Sequence, residues 1–378
     1  MGRLGEIFRA HGADYRKRFG ERMSVDQLRA MRALERCHTP AAGGVLWRCS
    51  ASDCDCRHFT FRGCGNRHCP ACGQTHAQEW LRKQCALLLP GVTYHLVTFT
   101  VPKRLRRPIR SHPRQLLELL MRSASSTLMD LCKNPQWVGG MPGATAVLHT
   151  WTRQYQYHPH VHFIVTGGAL DPTGQWRNAH ERFLVPVPAL SSVFRARFRD
   201  ALREAHPTIF AQLAASVWQE HEWVVHSKPV GSGQRAYGYL ARYLYRVALT
   251  ERAILQHTDE QIVLRYRHSK TNQPRTLRLG PHEFLRRFLQ HVLPSRFCKL
   301  RHYGLHHSSK RPTIRLLQAL FELLGHGPTP PSAPEKITGP VPSCPRCQAP
   351  MILVRHLNAT ETQACFAPLP GPQARGPP

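Results

Sequence analysis

The stretch Tyr157-His158-Pro159-His160-Val161-His162-Phe163-Ile164-Val165 decides how the middle of this chain folds. It is rich in β-branched and aromatic residues, which suit a pleated, half-buried surface. Alternate side chains of a strand share a face. His160 and His162 therefore project together, while Val161, Phe163 and Val165 face a core. Two imidazoles on one face, roughly 7 Å apart by strand rise, can hold one divalent metal. Such a metal needs further ligands. His158 is in register with the pair but precedes Pro159, which disturbs a strand. His149, in the preceding apolar segment, is the other histidine to weigh, and an acidic or amide group is a third option.

About eighty residues later the chain reads Tyr239-Leu240-Ala241-Arg242-Tyr243. At 100° per residue, with Tyr239 at zero, Tyr243 falls at about 40°, Arg246 at about 340° and Arg242 at about 300°. Leu240, Leu244, Val247, Ala248 and Tyr237 fill the opposite, apolar arc. Tyr237 is thus expected in the core, with Tyr245 on the flank. A tyrosine pair at helical spacing is more often packing than chemistry. Two adjacent arginines and the upstream histidines favour chemistry here. A cation held by His160 and His162 could stabilise charge on a phosphodiester. Arg242 and Arg246 could neutralise the phosphate. Tyr239 and Tyr243 could attack it, storing bond energy in a phosphotyrosine so that rejoining needs no ATP. The chain has no phosphate-cradling Gly-rich loop of the Walker type.

Of 13 cysteines, seven lie between Cys37 and Cys72, and two more form Cys344-Pro-Arg-Cys347. Without a secretory signal, this density points to thiolate metal ligation, with zinc the expected ion. Cys69-Pro-Ala-Cys72 has the spacing of a zinc knuckle. Cys37, Cys49, Cys54, Cys56, Cys64 and His68 supply more ligands than one tetrahedral ion uses, so one or two zinc ions are expected. The favoured set is Cys49 and Cys54 with Cys69 and Cys72. Cys37, Cys56, Cys64 and His68 form a second. Cys85, Cys132, Cys298 and Cys365 are isolated and read as core or incidental.

Lys plus Arg total 52 against 23 Asp plus Glu, a formal net charge of +29 spread along 378 residues. That balance points to a polyanion, most simply nucleic acid, and away from an ordinary metabolic enzyme. The N-terminus is charged from its third residue and lacks an apolar signal region. The longest apolar stretch, 86–101, is interrupted by Pro90, Gly91 and His95 and is too short to span a bilayer. A cytoplasmic location is expected, with no membrane partner.

Strand-like segments occur at 93–102, 144–152, 160–168, 222–228 and 263–269, interleaved with helices at 114–132 and 189–215. This predicts an α+β fold with a mostly antiparallel sheet. Ser24 is a cap for a helix from Val25, and 76–88 reads as a helix. Residues 280–325 read as helical and basic. Three units follow: a helical and zinc-binding module at 1–88, a catalytic domain at 89–325, and a Pro-rich flexible tail at 326–378 around Cys344 and Cys347.

The segments GNRHCPAC, VTFTVP, HPHVHFIVTGG, YLARYLYR, HEFLRRFLQHVLP and LRHYGL occur in one order over roughly residues 20–310. Together they resemble the IS-ninety-one family of HUH-class, rolling-circle insertion-sequence transposases. The resemblance implies an N-terminal zinc-binding domain and an antiparallel, RNA-recognition-motif-like sheet carrying the histidine pair. It implies Mg²⁺ or Mn²⁺ dependence, nicking of single-stranded DNA at element ends and a 5′-phosphotyrosine. Its nucleophiles carry over by motif onto Tyr239 and Tyr243, and some members keep only one tyrosine. Arg48, Arg57, Arg62, Arg67 and His68 surround the zinc ligands, so hairpin or duplex DNA at the element ends is a further expected partner, with a nucleoid association in a bacterial cell. The segment SASDCDC departs from the family's shorter Cys-to-Cys step, leaving Cys54 and Cys56 as alternative ligands. A plasmid replication initiator or relaxase of the same chemical class, or a non-catalytic zinc DNA-binding protein, are the competing readings.

Overall fold

The computed structural model describes residues 2–180, 182–219, 221, 223–244, 249–268, 271–327 and 341–366, without the side chains of residues 74, 75, 242–244 and 366. In chain order, α1 (Arg3–Phe19), α2 (Val25–Arg36), β1 (Gly44–Cys49), β2 (Arg57–Phe61) and α3 (Gly73–Cys85) come first. There follow β3 (Tyr94–Thr100), α4 (Arg106–Ser111), α5 (Pro113–Lys133), β4 (Gly143–Trp151), β5 (Tyr157–Thr166), β6 (Gly168–Leu170) and β7 (Trp176–Asn178). Next are α6 (Val187–Ala205), α7 (Pro207–Ala211), β8 (Val224–Pro229), α8 (Gln234–Leu244), β9 (Ile254–His257), β10 (Ile262–Arg267) and β11 (Pro274–Leu279). The chain closes with α9 (Pro281–Leu289), β12 (Leu300–Gly304), α10 (Arg311–Leu323), β13 (Met351–Leu357) and α11 (Ala359–Phe366).

A five-stranded sheet in the order β12-β4-β5-β3-β8 organises the molecule, and every neighbouring pair in it is antiparallel. The expected α+β class with antiparallel sheets therefore holds. β5 is central, with β4 and β3 on its two sides. Strand alternation sends Val161, Phe163 and Val165 of β5, Val97 and Phe99 of β3, and Ala144, Ala146 and Leu148 of β4 into one core. Leu116, Leu120, Ala124 and Leu128 of α5 and Phe194, Phe198 and Leu202 of α6 cover that face. Each fully buried Phe or Leu here contributes roughly 1.5–3 kcal/mol of transfer free energy. The sheet is thus held rigidly from below, and its other face is left for the histidines.

That other face is covered in part by α3, α8 and α10. Trp80, Tyr237, Leu240, Leu317 and Phe321 pack there against Val147 and Ile164. The turn from β8 into α8 passes Gly233 at φ +80°, where an added Cβ would sit 2.8 Å from the Tyr94 ring. Glycine permits both the left-handed backbone and the close approach. The chain can therefore leave the sheet edge at β8 and fold back over the histidine face.

Among the described residues three smaller antiparallel sheets complete the fold: β11-β10-β9, β13-β1-β2 and the two-stranded β6-β7. The β11-β10-β9 sheet packs with α1, α2 and α9 around Phe8, Met31, Leu264 and Phe288. Ser24 caps α2 through a reciprocal capping box with Gln27, as its position predicts. Residues 3–36 therefore share a core with residues 249–289, and the sequential boundary expected near residue 88 does not separate them in space.

Three expectations are corrected. Residues 280–325 are not helical throughout, because β12 pairs along β4 as an edge strand of the main sheet. Its short Leu300-Arg301-His302-Tyr303-Gly304 run has no apolar alternation to announce it. The predicted helix at 189–215 breaks at His206, where Pro207 starts α7. Residues 341–366 are not a loose tail. β13 pairs antiparallel with β1, from Gly44 opposite Leu357 to Cys49 opposite Met351.

Candidate functional site: a histidine face, a tyrosine helix and two cysteine clusters

The central strand brings His160 and His162 onto the open face of the sheet. β4 delivers His149 directly opposite His160. Ring centroids lie 4.7 Å apart for His160 and His162, 4.6 Å for His149 and His162, and 5.4 Å for His149 and His160. One ring nitrogen from each lies within 4.8 Å of the others. His149 is thus the third histidine of the set. His158 is not in the set, although its ring lies 5.1 Å from that of His160. Between Trp151↔Tyr157 and His149↔His160, β5 carries one more residue than β4. The irregularity falls at Pro159, where the missing N–H costs no ladder bond. β5 itself runs through the proline, and His158, His160 and His162 are half-buried while Pro159 and Val161 are buried.

Hydrogen bonds fix two of the rings. The Nδ1–H of His160 donates to the His158 carbonyl at 2.7 Å. Nδ1 of His162 lies 2.8 Å from the Thr98 hydroxyl on β3. Both contacts leave Nε2 as the donor available to a cation, which is how metal-binding imidazoles are usually oriented. Burial lowers all three pKa values, that of His160 to about 4, so the rings are neutral at physiological pH. Neutral imidazoles converging from two adjacent strands fit a divalent transition metal.

Tyr239 stands at the edge of this face. Its ring meets His162 edge-on with centroids 6.5 Å apart, and the residue is 39 % exposed. Tyr237 takes the opposite side of α8, as the helical arithmetic predicts. It is buried, and its hydroxyl lies 3.0 Å from the Thr145 hydroxyl on β4. Leu240 and Ala241 are buried with it. Tyr243 and Arg242 belong to the last turn of α8, and their side chains lie outside those described. Arg246 and Tyr245 lie outside the described residues.

His162 and Tyr239 both line a cleft of about 910 Å³. Arg153, Lys228 and Arg235 also line it, and no carboxylate does among the described residues. A groove with such walls attracts a phosphate backbone. These three cations, together with Thr98, are site residues that sequence reasoning missed. A lone Arg or Lys carries no pattern, and in a chain of +29 it does not stand out.

The cysteines form two four-sulfur groups, partitioned differently from the expectation. Cys37, Cys64, Cys69 and Cys72 make one, and Cys49, Cys54, Cys344 and Cys347 make the other. The β1–β2 hairpin explains the division. Cys37 precedes it and Cys64 follows it, so both sit at its base, where the Cys64 N–H approaches the Cys37 sulfur at 3.4 Å. Cys49 and Cys54 sit at its turn, a strand length away, on the order of 15–20 Å. A site joining Cys49 and Cys54 to Cys69 and Cys72 would have to span that length. His68 joins neither group. It is buried, and its Nε2 accepts a hydrogen bond from the Leu293 N–H at 3.2 Å. Cys56 also stays outside both groups, which selects Cys54 over Cys56.

An antiparallel sheet bearing three convergent histidines, a tyrosine on a covering helix, a basic cleft and a cysteine-bound module define a DNA-processing protein. The comparisons agree. Residues 143–313 match a family model described as "Putative transposase", and residues 7–101 match one described as "Transposase zinc-binding domain". The chain is 33 % identical over 383 residues to "Putative transposase y4qJ" of Sinorhizobium fredii, covering 93 % of this chain and 94 % of that protein. It is 27 % identical over 317 residues to "Transposase for insertion sequence element IS801" of Pseudomonas savastanoi pv. phaseolicola, covering 78 % and 74 % respectively. No solved structure matches the chain. The chain belongs to the IS-ninety-one family of transposases with an N-terminal zinc-binding domain. Such an enzyme binds and cleaves nucleic acid. Among the described residues no helix is long and apolar enough to cross a membrane.

Proposed function

We propose that this transposase nicks and rejoins single-stranded DNA at insertion-sequence ends through a 5′-phosphotyrosine, in an HUH-type active site built on an RNA-recognition-motif-like sheet. The observation that carries this reading is the edge-on approach of Tyr239 to His162, at the mouth of a basic cleft. His149, His160 and His162 would hold a divalent cation, Mn²⁺ or Mg²⁺. When bound, such a cation polarises a phosphate oxygen and stabilises charge that develops on it.

The chain's own residues do the rest. Arg153, Lys228 and Arg235 draw the backbone of a single strand into the cleft. The Tyr239 hydroxyl loses its proton to solvent, and its oxygen attacks phosphorus. A new O–P bond forms as the bond from phosphorus to the 3′ oxygen breaks. The departing 3′ oxygen takes a proton from water, leaving a free 3′-hydroxyl and a 5′ end joined to the tyrosine. Rejoining is the reverse, with a 3′-hydroxyl as nucleophile and tyrosine as leaving group. No nucleotide energy is required, because the phosphotyrosine conserves that of the broken bond. Tyr243, one helical turn further on, is proposed as the second nucleophile, with Arg242 and Arg246 neutralising phosphate. Hairpin or duplex DNA at the element ends is proposed as the partner of the zinc module, and the nucleoid as the place of action.

Single-stranded oligonucleotides carrying the element ends, incubated with the protein and Mn²⁺, should yield a covalent protein–DNA adduct. Wild-type protein that binds these strands without ever forming an adduct would refute the proposal.

A further inference from the structure

We infer that Cys49, Cys54, Cys344 and Cys347 form a second zinc site, whose ligands come from opposite ends of the chain, and that this ion clasps the C-terminal segment onto the N-terminal zinc domain. The match to the transposase zinc-binding domain ends at residue 101, so Cys344 and Cys347 lie outside it. The first cluster, entirely within residues 37–72, needs nothing from the C-terminus.

Sulfur spacing identifies the chemistry. Cys49 and Cys347 lie 3.4 Å apart, and Cys54 and Cys344 3.8 Å. In the first cluster the spacings are 3.7 Å for Cys37 and Cys69, 3.6 Å for Cys37 and Cys72, and 3.7 Å for Cys64 and Cys72. A tetrahedron with zinc–sulfur bonds of about 2.3 Å has sulfur–sulfur edges of about 3.8 Å. A disulfide would bring two sulfurs to about 2.05 Å. Both clusters have the spacing of four thiolates around one ion.

Position supplies the second argument. β13 runs antiparallel to β1 so that Met351 lies opposite Cys49. The turn before β13 therefore sets Cys344 and Cys347 beside the hairpin turn that carries Cys49 and Cys54. Two pairs, each on a tight turn, meet face to face, which is how zinc ribbons are assembled. Cys49 and Cys344 are buried, Cys54 is half-buried and Cys347 is exposed.

Besides the β1–β13 ladder and the packing of α11 on the turn at Pro40–Ala42, the joint has only a small apolar core among the described residues. The apolar cluster there has only Cys49, Cys344 and Met351 fully buried. Ile352, Leu353 and Val354 of β13 are exposed at 43 %, 44 % and 48 %. The Arg346–Asp55 ion pair at 2.8 Å is solvent-exposed on both sides and contributes little. With so small an apolar core, a metal supplies stabilisation that side-chain packing does not, as in small zinc-dependent folds. Removing the ion should release the segment.

The test uses the full-length chain purified under reducing conditions, with metals counted by elemental analysis. Wild type should carry two zinc ions per chain. Cys344→Ser with Cys347→Ser should carry one, and Cys56→Ser should keep two. A specific protease site placed between residues 328 and 340 allows the C-terminal segment to be cut free of its tether. In wild type the cut segment should co-elute with the body in high salt and should leave it on chelation. In the double serine variant it should leave without chelator. One zinc in wild type, two in the double variant, iron in place of zinc, or a Cys49–Cys347 disulfide would overturn the site. A cut segment that stays bound after both ions are removed would overturn the clasp.

Discussion

Nδ1 of His162 lies 2.8 Å from the hydroxyl of Thr98 on the neighbouring strand, and this contact aims the opposite ring nitrogen of His162 at the site face. Thr98 touches no substrate in the proposed reaction. It acts by holding the ring and its tautomer. Thr98→Val keeps the shape and removes the acceptor. Metal affinity should fall about 10- to 100-fold, the usual cost of losing such a contact. Nicking by this variant should recover as Mn²⁺ is raised. A metal titration that superimposes on that of wild type would show that the contact does no positioning.

The donor set also bears on which cation serves. Three imidazoles supply only nitrogen, and Mg²⁺ prefers oxygen ligands and keeps its waters. Mn²⁺ should therefore support adduct formation at lower concentration than Mg²⁺. Half-saturation values measured with both ions decide this, and equal or reversed values would count against the three-histidine site.

Tyr237 and Tyr239 are two residues apart and do opposite work. The Tyr237 hydroxyl is buried beside Thr145, whose oxygen also lies 3.0 Å from His306 Nδ1. Tyr237→Phe should cost about 1 kcal/mol of stability, the net worth of one such bond, and leave adduct yield near normal. Urea unfolding with a parallel adduct assay checks both halves. Loss of the adduct without loss of stability would move Tyr237 into the chemistry.

Two histidines away from the proposed metal centres make acid stability legible. Burial lowers His291 to about 4 and His306 to about 3. In the unfolded chain both titrate near 6.5. Below that value the unfolded state binds more protons, so stability is complete above it and is lost as pH falls toward 4. From pH 7 to pH 5 the pair removes up to about 4 kcal/mol, at 1.4 kcal/mol per unit for each group. Urea midpoints at the two pH values measure this. Equal midpoints would mean that the histidines are not buried in neutral form.

What could be read from the sequence follows physical range. The alternation His160-Val161-His162-Phe163 specifies a strand and its two faces, because strand period is local. The tyrosine helix is local too, and its arithmetic places Tyr237 inside and Tyr239 outside, as found. His149 and His158 could not be separated, because the choice turns on the pairing of β4 with β5, which sets His149 opposite His160. The cysteine partition failed for a similar reason. Hairpin geometry puts Cys37 beside Cys64 and leaves Cys49 at the far end, and ligand spacing along the chain does not report it. The remaining ligands of the second cluster lie some three hundred residues away at Cys344 and Cys347, where the CxxC spacing was the available signal. β12 and β13 were missed because each is paired over a long sequence separation and lacks alternation of its own.

The most direct measurement on the central claim is the identity of the residue that carries DNA. Wild-type protein is incubated with a single-stranded element end and Mn²⁺, and the adduct is digested and mapped by mass spectrometry. The account predicts DNA on Tyr239 or Tyr243, reduced adduct in Tyr239→Phe, and no adduct in Tyr239→Phe with Tyr243→Phe. His160→Ala with His162→Ala should form none while still binding DNA through its many cations. An adduct that persists in the double tyrosine variant, or one that maps to Tyr237 or Tyr245, would contradict it.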